Sequence, residues 1–114
     1  MIVTAWNNGA CSPSGAGYGF KIRKEDVFEH FIQSWDSVLL DLPGLEERIE
    51  VKIKKKSFWE NCNELISKEI GKWLTSNNHA PWPKGHPPKF ELTPTGNGGF
   101  KIELKNISTS RGDQ

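Results

Sequence analysis

Three segments of the chain alternate apolar and polar residues with period two, the pattern of a strand with one buried and one solvated face. Tyr18, Phe20 and Ile22 alternate with Gly19, Lys21 and Arg23, and Ile49, Val51 and Ile53 alternate with Glu50, Lys52 and Lys54. Phe100, Ile102 and Leu104 alternate with Lys101, Glu103 and Lys105. Ile2 to Trp6, Val38 to Leu42 and Lys89 to Thr93 bring the total to about six strands. The run Val38-Leu39-Leu40 reads as buried on both faces. Pro43-Gly44 with Glu46 and Glu47 fits one hairpin tip, and Pro94-Thr95-Gly96-Asn97-Gly98-Gly99 fits another, because proline presets a turn dihedral and Gly and Asn accept positive φ.

Two segments switch to helical spacing. From Lys24 to Ser34, Val27, Phe31 and Trp35 recur every four residues, and Phe28 and Ile32 widen the stripe. Glu25 and Asp26 suit the positive end of that helix's dipole. From about Asn61 to Thr75, Cys62, Leu65, Ile66, Ile70, Trp73 and Leu74 recur at the same period. Ser57-x-x-Glu60 and Asn61-x-x-Glu64 both have the form of a capping box, leaving two alternative starts one turn apart. Asn77-Asn78 closes this helix, and the proline-rich stretch from Pro81 to Pro88 stops any continuation. The predicted order is β-β-α-β-β-α-β-β, an α+β, mainly-β barrel with one helix in each half. The domain runs over residues 1–105, and the polar, aperiodic residues 106–114 form a tail expected to fray.

With 114 residues, of which 35% are hydrophobic, the chain suits a single core. No apolar run reaches membrane-spanning length, and the first residues lack the basic and apolar regions of a secretory signal, so a cytoplasmic location is expected. Two cysteines, Cys11 and Cys62, are too few for a disulfide scaffold and too far apart for a CxxC redox pair. Cys62 falls on the apolar stripe of the second helix, where a thiol serves as a small hydrophobe. Without a secretory signal, the Asn106-Ile107-Ser108 sequon and the Arg111-Gly112-Asp113 tripeptide read as chance matches.

Catalytic and cofactor chemistry finds little support. Ser14-Gly15-Ala16-Gly17-Tyr18-Gly19 is glycine-rich, but a phosphate-cradling loop needs a helix N-terminus directly after it, and here a strand follows. His30, His79 and His86 show no metal-ligand spacing. A Cys11–His86 nucleophile pair has no third group to orient it. No metal or other cofactor is expected.

Charge is more informative along the chain than in total. Fifteen Lys and Arg against fourteen Asp and Glu leave a net charge of +1. Yet residues 24–47 hold one lysine against seven carboxylates, whereas residues 48–56 hold Arg48, Lys52, Lys54, Lys55 and Lys56 against Glu50 alone. The basic stretch runs directly into Ser57, Trp59, Asn61 and Asn63, side chains able to approach base edges. A second segment has similar chemistry: Asn7, Asn8, Ser12 and Ser14, followed by Lys21 and Arg23 on a solvated strand face. Two such polar arms ending on basic strands have the composition to hold phosphates and enter a groove. In Trp82-Pro83-Lys84-Gly85-His86-Pro87-Pro88, Trp82 is expected to plug the barrel end, with a proline-tract ligand as the rival reading.

At this level the chain resembles a family. Gly19-Phe20-Lys21-Ile22-Arg23-Lys24 with Phe28 and Phe31 is similar to the strand–helix junction of the B-three DNA-binding pseudobarrel of plant transcription factors. That fold also serves as the DNA-reading effector domain of some restriction endonucleases. Val38-Leu39-Leu40-Asp41-Leu42, the Ile49–Ile53 strand and Ser57-Phe58-Trp59-Glu60-Asn61 resemble the family's following strands and aromatic-Trp-Asn loop. Ile70-Gly71-Lys72-Trp73-Leu74 and Phe90-Glu91-Leu92 continue the similarity, which spans roughly residues 2–104. Arg23 departs from the proline common in the plant domains. The resemblance implies a pseudobarrel of six to seven strands with two inserted helices. It further implies a two-armed grip on the major groove of double-stranded DNA, with arms around Asn7–Ser14 and Lys54–Asn63.

The residues and the resemblance together give a non-enzymatic DNA-binding domain as the leading expectation. Lys21, Arg23, Lys55 and Lys56 would meet phosphates, with Lys54, Ser12, Ser14 and Ser57 on the same arms. Asn7, Asn8, Trp59, Asn61 and Asn63 would approach bases, which requires both arms on one positive face. The alternatives are a protein-interaction module built on Trp82–Pro88 or the acidic first helix, and a small enzyme using Cys11.

Overall fold

The computed structural model describes residues 1–9 and 14–102. Cys11, Ser12, the end of the last expected strand beyond Ile102, the 106–114 tail and the two short motifs within it lie outside the described residues. Seven strands form one sheet: β1 (Ile2–Asn7), β2 (Tyr18–Ile22), β3 (Ser37–Asp41), β4 (Ile49–Lys52), β5 (Glu64–Ile66), β6 (Lys89–Gly96) and β7 (Gly99–Ile102). Between them lie α1 (Lys24–His30), a π-turn over Phe58–Cys62, and α2 (Lys68–Ser76). The strands neighbour one another in the order β4-β3-β7-β6-β1-β2-β5, and the sheet curls until it is nearly closed into a barrel. β3 and β7 run parallel; the other pairs are antiparallel.

The period-two segments become strands because alternation lets a curved sheet bury one side of each. Phe20 and Ile22, Val51, and Phe100 and Ile102 turn inward, while Lys21, Glu50 and Lys52 remain exposed. Both expected hairpins form. In the β6–β7 hairpin, Asn97 and Gly98 both have positive φ (53° and 80°), the combination a tight two-residue connection requires. Leu39 departs from expectation: it is 37% exposed, so β3 alternates like its neighbours and buries only Val38 and Leu40.

Two aromatic clusters fill the interior. Phe31 stacks on Phe100 at 4.7 Å and meets Phe58 at 5.5 Å, with Trp35 edge-on to both Phe31 and Phe100. Phe20, Trp73, Phe90 and His79 form the second, with ring centroids 5.0–6.4 Å apart. Burying side chains of this size contributes about 1.5–3 kcal/mol each, so the two clusters provide much of the driving force for closure.

Both helices differ from the periodic reading. α1 ends at His30, and Phe31 adopts an extended conformation (φ −117°, ψ 144°) that carries its ring onto Phe100 and Phe58. Val27 and Phe31 are buried as expected, but Phe28, within α1, and Ile32, beyond its end, are 63% and 53% exposed. The expected second helix is broken in three. The chain makes the π-turn, Asn63 reverses it in the left-handed region (φ 50°), and Glu64–Ile66 pairs with β2. α2 starts only at Lys68, where the Ser67 side chain accepts the Glu69 amide at 3.1 Å, so neither capping-box match marks its start. Edge pairing prevailed over helical period: β2 needed a partner for Gly19, Phe20 and Lys21, and Glu64–Ile66 supplied it. Cys62, placed on a buried stripe by the helical reading, is exposed.

Candidate nucleic-acid interface

The two expected arms meet opposite ends of β2. The first follows β1, whose pairing with β2 sets Asn7 opposite Tyr18. The second, residues 53–63, connects β4 to β5 and reaches β2 at its other end, where the Ile22 amide donates to the Asn63 carbonyl at 2.9 Å. The structure therefore brings Lys21 and Arg23 beside the second arm and keeps Asn7, Asn8 and Ser14 apart from it by the length of β2, roughly 13 Å at about 3.3 Å per residue.

Within the first arm the polar side chains shape their own loop. The Asn7 side-chain oxygen accepts the Gly9 amide at 2.7 Å, and the Ser14 hydroxyl accepts the Ala16 amide at 3.3 Å, both local turn closures. The Asn8 amide donates to the Gly17 carbonyl, and its side chain lies over Gly17 so closely that a Cβ there would come within 2.6 Å of it. Gly15 rests against the backbone of α2, and a Cβ on Gly71 would fall on the Gly15 carbonyl oxygen. The glycine-rich segment thus leads into a strand and packs on a helix's flank, without the helix N-terminus that a phosphate loop uses.

The cations separate into two kinds. Lys21 pairs with Glu64 at 2.9 Å and donates to the Cys62 carbonyl at 3.3 Å; Arg23 pairs with Asp26 at 3.1 Å. Both carboxylates are nearly buried, so withdrawing either cation would leave a desolvated charge, which is costly. These two residues hold the junction of β2, α1 and β5 together. Lys54 with Asp36 (3.4 Å) and Lys56 with Glu60 (4.0 Å) are exposed on both sides, the kind of pair worth less than about 1 kcal/mol and readily exchanged for another anion. Lys55 has no ion-pair partner among the described residues.

The π-turn uses much of its own polar capacity. Trp59, half-buried and edge-on to Phe58 at 5.2 Å, donates its indole N–H to the Ile53 carbonyl at 3.1 Å. Asn63 is buried, and its side-chain amide donates to the Phe58 carbonyl at 2.7 Å. Sequence reasoning placed both at base edges; Asn63 instead closes the turn, and Trp59 offers ring surface but no free donor. Asn61 lies within the turn, and Ser57 precedes it, exposed and making no capping bond.

A cleft of about 550 Å³ opens beside this arm, lined by Lys54, Lys55, Lys56, Trp59 and Glu60. Phe28 and Gln33, contributed by α1 and the turn after it, complete the lining. Sequence reasoning missed both, having assigned Phe28 to the core, whereas it lies on the solvent-facing side of α1. Elsewhere, α1 gathers Asp26, Glu29 and His30, whose candidate ligand atoms lie within 4.8 Å of one another, a proximity that inspection of histidine spacing alone overlooked. Arg23 already engages Asp26 there. Trp82 is half-buried, packed against the core and edge-on to Tyr18 at 5.9 Å.

Fold and site define a small, mainly-β, nearly closed barrel with two short helices and a lysine-rich connection beside an aromatic cleft. No protein-family model matches the chain, and no curated protein or solved structure shows significant similarity to it. Among the described residues no helix is long and apolar enough to cross a membrane.

Proposed function

We propose that the chain is a non-enzymatic domain that binds double-stranded DNA through the β1–β2 loop and the β4–β5 connection, as a B-three-type pseudobarrel does. The supporting observation is the second arm: three consecutive exposed lysines, one without an ion-pair partner among the described residues and two in weak exposed pairs, on a connection anchored to β2 by the Ile22–Asn63 bond. The barrel is compatible with the fold the resemblance implies, and the spacing of the arms along β2 is comparable to a major groove about 12 Å wide. Lys54, Lys55 and Lys56 meet phosphates, the two arms flank the groove, and Lys21 and Arg23 keep the second arm in place.

A salt titration against a pool of randomised duplexes tests this. Log K falls linearly with log salt, with a slope of about 0.9 per phosphate contacted, and three lysines set its scale. No measurable binding at low salt would overturn the proposal. Capture of a single stoichiometric protein partner that persists after nuclease treatment would favour the interaction-module alternative.

A further inference from the structure

The Phe28 ring is the most exposed large hydrophobic side chain among the described residues, and it opens onto the lysine-lined cleft rather than onto bulk solvent alone. Opposite chemistry is combined in a small volume: the Phe28 ring, the fixed Trp59 ring, the Gln33 amide and three lysines, of which Lys54 is paired with Asp36 and Lys56 with Glu60 in exposed contacts. At about 550 Å³ the cleft has the volume of a small-ligand pocket, roughly 300–1,000 Å³, and it is wide open to solvent.

We infer that this cleft accepts one unpaired nucleotide of the bound nucleic acid. A base inside a duplex has both faces stacked and offers nothing to Phe28. An extrahelical or single-stranded base offers a π-face to the ring, its flanking phosphate reaches Lys55 and its neighbours, and the amide of Gln33 meets the base edge. The cleft therefore makes the domain prefer DNA that carries an unpaired base over perfectly paired DNA. This rests on the proposed DNA-binding function and adds the structural feature of the DNA that is recognised.

The test compares two short labelled duplexes of the same sequence by fluorescence anisotropy at low salt, one perfectly paired and one carrying a single-nucleotide bulge. Stacking of one base on an aromatic side chain predicts about tenfold tighter binding of the bulged duplex. Phe28→Ala abolishes the preference by lowering affinity for the bulged duplex, and Phe28→Trp retains it. Because Phe28 is exposed, the circular-dichroism melting curve of each variant matches that of the parent. Equal affinity for both duplexes, or a preference that survives Phe28→Ala, would overturn this inference and leave the DNA-binding proposal standing. Failure to bind either duplex would instead overturn that proposal and this inference with it.

Discussion

The side-chain amide of Asn63 donates to the carbonyl of Phe58 at 2.7 Å inside the protein, closing a π-turn whose last step Asn63 itself makes in the left-handed region. One residue thus satisfies a buried carbonyl, reverses the chain and presents its own carbonyl to Ile22. Two substitutions separate these contributions. Asn63→Gly keeps the left-handed conformation and loses the buried bond, at about 1 kcal/mol; Asn63→Ala also adds the left-handed penalty, for about 2–3 kcal/mol. Denaturant unfolding measures the difference. If the chain binds DNA as proposed, Asn63→Gly leaves the duplex affinity of the remaining folded protein intact, since the side chain is buried.

Lys21 and Lys55 are expected to fail in different assays. Lys21→Ala strands the nearly buried Glu64 carboxylate and lowers stability by about 1–2 kcal/mol, discounted because the lysine itself is half exposed. Lys55→Ala leaves the unfolding midpoint where it was and reduces the salt slope of DNA binding by about 0.9. A matched pair of denaturation curves and salt titrations distinguishes them. The reverse pattern would mean that Lys21, rather than Lys55, is the phosphate contact.

Gly71 sits on the face of α2 that touches the first arm. Gly71→Ala places a methyl group against the Gly15 backbone, where neither chain segment can rotate away, and costs about 1–3 kcal/mol despite alanine's better helix propensity. The substitution also shifts the β1–β2 loop, visible as amide chemical-shift changes at Gly15 to Tyr18.

His79 lies against Trp73 and Phe90 at 5.3 and 5.0 Å, and burial pushes its imidazole below the ordinary value of 6.5. The unfolded chain therefore binds the proton more readily than the folded one. Its effect on stability is absent above the unfolded value, appears as pH falls through about 6.5, and levels off below the lowered folded value. Melting temperatures of the parent and of His79→Phe, measured between pH 7.5 and 5, should diverge in slope, with the parent losing more stability on acidification. Parallel curves would show that the ring protonates without cost.

Alternating residues made most of the strands legible along the chain, because a half-buried strand leaves the same period-two record whatever it pairs with. Hairpin tips were equally legible: Asn97-Gly98 declares its positive φ values in its composition. Helix limits were not. The stripe through Val27, Phe28, Phe31 and Ile32 is periodic enough for a longer helix, yet the helix ends at His30, where Phe31 turns extended and packs on Phe100 and Phe58. Leu65 and Ile66 fit a helix as well as a strand, and the open edge of β2 decided between them.

The candidate site divides along the same line. Its lysines and its Trp were visible in order, since consecutive charge beside an aromatic residue is a property of the sequence itself. Which lysines are held by buried carboxylates depends on Glu64 and Asp26 arriving from elsewhere, so Lys21 and Arg23 could not be told from Lys54, Lys55 and Lys56 beforehand. A mainly-β chain of alternating strands with a basic, aromatic connection is legible residue by residue, because period and composition are local. That Asn63 faces inward, that Phe28 faces outward and that the arms stand at the two ends of β2 follows from packing. Burial and edge pairing are settled between segments distant in the chain, and no single segment carries a record of its partner.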